Sequence, residues 1–203
     1  SLNLYVYSLH MVQLAEAYFN GKNVKPIWSG GEFSTKDKNT QFEYSESVKT
    51  QLFWDMGGII NNRPSIYTLP SNPKNEVFVD SGLIWGEDII DLILADRGKV
   101  VLPLRNLQGF NELEDALNFA EDIVIGIDWS DKIEANHSDF RIDIVDLLHQ
   151  LIKRNQVTII VYSLTGEYPY IPAGTSSNLK LYLAYLSDKN TQPSWANEVF
   201  LFE

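Results

Sequence analysis

Between residues 76 and 163 the chain alternates short apolar runs with amphipathic stretches, and this alternation limits the possible folds more than any other feature. Glu76-Val77-Phe78-Val79-Asp80 reads as a strand. Leu83 to Ala95 reads as a helix carrying Ile89, Ile90, Leu92, Ile93 and Leu94, with Gly98 as its stop, and Lys99 to Leu104 as the next strand. Asn111 and Glu114 open a further helix with Leu113, Leu117 and Ala120. That helix delivers the chain into Asp122 to Asp131, where continuous Ile and Val around Gly126 indicate a strand covered on both faces. Residues 139–154 have the most regular helical spacing: Ile144, Val145, Leu148, Leu151 and Ile152 form one stripe, and Lys153-Arg154 lie where the dipole favours cations. Val157 to Tyr162 is another buried strand.

Such a succession predicts right-handed crossovers and a mainly parallel sheet. The expected architecture is α/β with helices on both faces of an open sheet, a Rossmann-like three-layer arrangement. An antiparallel hairpin is expected at its C-terminal edge, because Leu179, Leu181, Leu183 and Tyr185 alternate with Lys180, Tyr182 and Ala184 before Val199 to Phe202 closes the chain. A length of 203 residues fits one domain, 1–203, divided into a loop-rich segment 22–75, a βαβ core 76–163 and the edge hairpin 164–203.

The first third is less regular. Residues 4–19 fit an amphipathic helix, or a short strand leading into one, and contain His10, a lone histidine with no partner spaced to join it. From Lys22 to Tyr44 the Gly, Ser, Asn and Lys content, with Gly30-Gly31, predicts a long irregular excursion or a weak hairpin. Ser45 offers an N-cap for a helix through Val48, Leu52, Phe53 and Met56 that Gly57-Gly58 ends. Residues 59–75 predict extended linker around a short strand, Ser65 to Leu69.

Composition excludes several functions. The chain has no cysteine, so disulfides, thiolate zinc sites and a cysteine nucleophile are ruled out. Sixteen Lys and Arg against 27 Asp and Glu give a net charge of -11, which argues against a nucleic-acid footprint. No apolar run is long enough to predict a membrane span, and a cytoplasmic location is expected. The glycine-rich phosphate and dinucleotide loops are missing, and Asp80-Ser81-Gly82 lacks the first glycine of a nucleophile elbow.

Candidate functional residues gather at the predicted strand ends, where open parallel sheets bind ligands. Asp80 and Asp128 have two readings: they cap helices and make turns after the strands, the ordinary use of aspartate there, or with Asp131 they hold Mg2+ if their strands are neighbours, since a hard divalent cation relieves repulsion between carboxylates. His137 is a weaker catalytic candidate, set before a helix that Ser138 or Asp139 caps, and His149 packs near the apolar stripe. Trp129, Tyr168 and Tyr170 suggest an aromatic binding surface, because aromatics combine large contact area with little entropy to lose. The preferred expectation is a non-catalytic acidic protein that needs no cofactor and binds a macromolecular partner, a protein, through the Gly/Pro/Tyr loop and an acidic rim. The alternative is a Mg2+-dependent hydrolase or phosphotransferase using Asp80, Asp128 and Asp131.

Overall fold

The computed structural model describes residues 12–38, 40, 50–65, 76–189 and 191–202. Among the described residues, ten strands form one sheet: β1 (Val12–Phe19), β2 (Lys22–Ser29), β3 (Glu32–Asp37), β4 (Thr50–Asp55), β5 (Glu76–Asp80), β6 (Lys99–Pro103), β7 (Val124–Trp129), β8 (Thr158–Ser163), β9 (Lys180–Tyr185) and β10 (Glu198–Phe202). Among the described residues, five α-helices accompany them: α1 (Met56–Asn61), α2 (Ile89–Ala95), α3 (Phe110–Phe119), α4 (Ile144–Lys153) and α5 (Ala173–Ser176).

The sheet is closed. Strands β1, β4, β5, β6, β7, β8, β9 and β10 pair in that order, every pairing parallel, and β10 pairs back onto β1 with Val199 opposite Val12. This corrects the open three-layer expectation: the molecule is an eight-stranded parallel barrel. Strand–helix alternation predicts a parallel sheet but does not say whether its first and last strands meet. Closure here requires β1 and β4, two strands whose apolar spacing read as helix.

The C-terminal pair is also corrected. Strand β9 pairs parallel to β8, and β10 parallel to β9, so no antiparallel hairpin ends the chain. The alternation in β9 sorts side chains between two buried surfaces, since Tyr182 and Ala184 face one apolar cluster and Leu181, Leu183 and Tyr185 the other. One cluster fills the lumen, with Ala15, Leu52, Trp54, Phe78, Val101, Val124, Ile160, Tyr162 and Phe200. The other lies between the strands and the outer helices, where Leu92, Leu113, Leu147 and Leu151 pack against Val79, Ile125 and Val161. An eight-stranded barrel leaves an interior just wide enough for side chains to fill.

Several local expectations change for the same reason. Val12–Phe19 is a strand, and Leu52 and Phe53 belong to β4, where both faces are buried and helical periodicity carries no information. Gly57-Gly58 opens helix α1: Asp55 accepts hydrogen bonds from both backbone N–H groups at 3.1 and 3.4 Å. A Cβ on Gly58 would stand 1.9 Å from the Ser81 carbonyl oxygen, so α1 and the segment after β5 touch backbone to backbone. Helix α4 is capped by Asp143, which accepts from the Val145 N–H at 2.8 Å, while Ser138–Phe140 is a separate 3-10 turn. Asp139 instead accepts from the Phe110 N–H at 3.1 Å and so caps α3 from a distant loop. His10, residues 41–49 and the expected strand from Ile66 onward lie outside the described residues.

The excursion after β1 is a hairpin. Strand β2 turns back antiparallel on the upper part of β1, with Ala17 opposite Val24, and β3 pairs with β2. Its two-residue turn uses Gly30 at φ 61° and Gly31 at φ 85°, the left-handed pair that matches the twist of a tight hairpin. Because β2 leaves β1 where β10 has ended its pairing, the hairpin projects from the end of the barrel at which the parallel strands finish. No helix among the described residues is long and apolar enough to cross a membrane.

Gly126 tests the lumen packing. A Cβ there would lie 2.9 Å from Tyr162 Cε2 and 3.1 Å from Val101 Cγ1, whereas one on Gly174 in α5 meets nothing within 4 Å. Gly126→Ala is expected to lower unfolding free energy in urea by about 1–3 kcal/mol, the usual cost of overpacking. Gly174→Ala is expected to change it by less than about 0.5 kcal/mol. Equal effects from the two substitutions would refute the filled lumen.

Candidate functional site at the barrel mouth

Every other residue of a parallel barrel strand points inward, so a residue two places beyond the last inward position of β6 still reaches the lumen. Val101 and Pro103 set that parity and Arg105 continues it. On the neighbouring strands the same rule brings in Asp80 from β5 and Asp128 from β7. Arg105 therefore enters between two carboxylates. Its Nη1 and Nη2 donate to Asp80 at 3.0 and 2.9 Å, and its Nε and Nη2 donate to Asp128 at 2.8 and 3.0 Å. Asp80 also accepts from the Gly82 N–H at 2.9 Å. The guanidinium is only 5% exposed and both aspartates are buried.

Aromatic rings surround this ion trio. The guanidinium carbon lies 5.0 Å from the Trp54 ring centroid and 5.5 Å from those of Phe33 and Tyr162, within cation–π range. Trp54 and Tyr162 meet edge to face at 4.8 Å below it, and Phe33 descends from the hairpin to meet Trp54 at 5.4 Å. Burial alone would lower the affinity of Arg105 for its proton, but Asp128 and Asp80 reverse this and hold it above the ordinary arginine value. Burial pushes Asp128 upward, with Arg105 opposing. Burial also drives the Tyr162 phenol well above its usual value, the charge on Asp80 adding to the effect. The Trp54 N–H opposes part of that rise, yet neither it nor the Tyr162 hydroxyl has a partner of good hydrogen-bond geometry among the described residues.

Above the trio lies a cavity of about 590 Å³. Its walls come from the segments that follow β1, β4, β5, β6 and β7: Trp28 and Glu32 on the hairpin, Ile60 and Asn62 at α1, Ile84, then Asn106 and Gln108, and Glu134 and Asn136. The last two segments are tied together. Asn136 Nδ2 donates to Asn106 Oδ1 at 2.7 Å, the Asn136 N–H to the Arg105 carbonyl at 2.8 Å, and Gln108 Nε2 to the Asn106 carbonyl at 2.8 Å. Ser130 Oγ lies 2.5 Å from Glu134 Oε1 and 2.9 Å from Asp131 Oδ1, one hydroxyl hydrogen between two carboxylates. A rim braced in this way holds its polar groups in fixed places before any ligand arrives.

The sequence candidates divide clearly. Asp80 and Asp128 do meet, because only β6 separates their strands, but the cation between them belongs to Arg105. Asp131 stands outside the trio, exposed and held below the ordinary aspartate value by the Ser130 hydroxyl. Among the described residues no group of three His, Asp or Glu side chains has the geometry to hold a metal ion. His137 caps the 3-10 turn and faces Asp139 at 3.5 Å, away from the cavity lining. Trp129 and Tyr168 both pack on the outer apolar layer, Tyr168 beside Tyr185 and Trp195, and Tyr170 projects with 83% of its surface exposed; none of the three is among the residues lining the cavity.

Arg105 was the residue that sequence reasoning missed, although a signal for it exists. It follows an apolar run at the same strand-end position as the two aspartates, and a lone cation there is out of place unless neighbouring strands supply its counter-charges. The hairpin residues Trp28, Glu32 and Phe33 carried no such signal, because only the turn back onto β1 brings them over the mouth.

Replacing Arg105 with Leu leaves buried carboxylates without their partner and is expected to cost about 3–5 kcal/mol at pH 7 in chemical denaturation. Burial then acts unopposed on Asp128, whose folded pKa sits above the unfolded one. The stability tied to its neutral form is complete below about pH 4 and is lost as pH rises. The deficit of Arg105→Leu against wild type therefore narrows from pH 7 to pH 4.5, and a deficit equal at both would contradict the ion trio. For Tyr162 the stability held by the neutral phenol is complete below about pH 10 and is lost above it. The wild-type melting temperature thus falls more steeply above pH 10 than that of Tyr162→Phe, and parallel curves would count against a buried phenol. Compared with known proteins, the chain matches no family model and no curated protein, so its function has to be argued from this geometry.

Proposed function

We propose that the protein acts by binding, and that the acidic mouth of the barrel is its binding face. The observation that carries this reading is the charge of the mouth: one guanidinium is fully engaged by two buried carboxylates, and Glu32 and Glu134 add further negative charge around a cavity whose only cationic lining residue among the described residues is that same Arg105. Negative potential in a concave site repels anions and favours neutral or positively charged groups. Concave cavities of roughly 300–1,000 Å³ with a few fixed polar groups are typical ligand sites, and closed parallel barrels present theirs at this end of the strands. The second support is fold analogy alone, which speaks to place and not to chemistry.

This reading keeps the expectation of an acidic binding protein and moves its contact face from the Tyr168 and Tyr170 loop to the mouth. The Mg2+-dependent alternative has less support, because Arg105 already satisfies the carboxylates it would need. Whether the bound group is a free small molecule or the end of a larger partner, the same cavity receives it.

Thermal-shift titrations at constant ionic strength test the proposal with inorganic phosphate and citrate as anions, spermidine and arginine as cations, and neutral disaccharides. At least one neutral or cationic probe is expected to give a saturable stabilisation that Asn136→Trp, which fills the mouth, abolishes. Saturable binding of an anion at the mouth, or no response to any probe, would overturn it.

A further inference from the structure

The chemistry of the lining is more specific than its charge. Of the charged groups at the mouth, Arg105 is spent on Asp80 and Asp128, so a ligand meets amides, carboxylates and aromatic surface. The Asn136–Asn106 bond uses one group of each amide and leaves, among the described residues, the Asn106 Nδ2 donor beside the Asn136 Oδ1 acceptor. Gln108 likewise spends Nε2 on the Asn106 carbonyl and keeps Oε1 as an acceptor. Glu134 gives Oε1 to Ser130 and keeps Oε2. The rim thus presents donors and acceptors side by side, in positions set by bonds to one another.

A ligand that only donates, such as a polyamine, leaves the Asn106 N–H group without a partner. One that only accepts, such as a phosphate, faces Glu32, Glu134 and Asp128. Hydroxyl groups donate and accept at once, and an array of them matches an array of amides and carboxylates. Apart from Asn62, the rest of the lining is apolar: Trp28, half-buried and 4.8 Å from Phe33 at a tilt of 56°, offers an aromatic ring, and Ile59, Ile60 and Ile84 add aliphatic surface. A molecule whose rim is hydroxyl and whose faces are C–H bonds satisfies both halves of the lining, since aromatic rings favour apolar surface and polar groups that a ligand covers need partners in exchange for water.

We propose that the mouth binds an uncharged carbohydrate, with a sugar ring on Trp28 and its hydroxyls held by Asn106, Asn136 and Glu134. This rests on the reading of the mouth as a binding site and names what it takes. The volume of about 590 Å³ accommodates more than one ring, so a disaccharide or the end of a glycan chain is the expected occupant.

The full chain, probed on an array of neutral and acidic glycans and then by calorimetry with the best free oligosaccharide, tests this. At least one neutral glycan is expected to bind, at least tenfold more weakly to Trp28→Ala and to Asn106→Ala, and unchanged to Tyr170→Ala, whose side chain lies outside the cavity lining. Trp28→Phe, which keeps a ring against Phe33, is expected to recover part of the affinity and separates loss of the platform from loss of the fold. If spermidine or arginine binds at the mouth but no neutral glycan does, the carbohydrate assignment fails while the binding reading stands. Preference for sulfated or uronic-acid glycans would overturn both, and neutral-glycan binding indifferent to Trp28 and Asn106 would place it elsewhere and overturn the assignment.

Discussion

A single guanidinium at the top of the lumen decides how this barrel ends. Asp80 and Asp128 project inward from strands on either side of β6, and two buried carboxylates so placed would repel each other and forfeit their hydration. Arg105 answers both with four hydrogen bonds between 2.8 and 3.0 Å. Its planar fork suits the task, because bidentate contact with two carboxylates requires several donors in fixed directions, which an ammonium lacks. Trp54 and Tyr162 below and Phe33 above then cover the faces of the cation, so the trio forms the floor of the mouth and the ceiling of the apolar lumen at once.

That floor explains the part played by the hairpin. Strands β2 and β3 leave the barrel where β10 ceases to pair with β1, and they return Phe33 to the guanidinium and Trp28 to the cavity edge. The glycines at the turn have open space around them, so their value lies in positive φ and not in close approach. The hairpin thus closes the lumen with one aromatic residue and furnishes the mouth with another. The opposite wall owes its order to loop-to-loop bonds, from Asn136 to Asn106 and from the Asn136 N–H to the Arg105 carbonyl, which connect the cavity wall to the ion trio through the backbone. The mouth is therefore one-sided, built from the segments after β1, β4, β5, β6 and β7.

The Trp54 and Tyr162 rings, whose polar atoms have no partner of good hydrogen-bond geometry among the described residues, fit the same picture. Large amphipathic rings are used here for shape and for the electron density of their faces, which lie within reach of the guanidinium. Gly126 is part of this compromise, since its missing side chain makes the room that the Tyr162 ring occupies. Removing bulk from one strand to admit it from the next is how neighbouring strands fill a lumen at close-packed density.

The sequence by itself determined the parallel strands from β5 to β8, the helices between them and the presence of Asp80 and Asp128 at strand ends, because burial on two faces and amphipathic periodicity are written in local residue order. It left β1 and β4 looking like helix, since Leu52 and Phe53 are apolar on both sides and no alternation survives when both faces are covered. Only the tertiary structure decided that β10 meets β1, that Arg105 serves two aspartates more than twenty residues away on either side, and that Trp28 stands over the mouth. Closure, ion pairing and the shape of the cavity are relations between distant segments, and the local preferences of a chain are the same whichever of those relations it finally adopts.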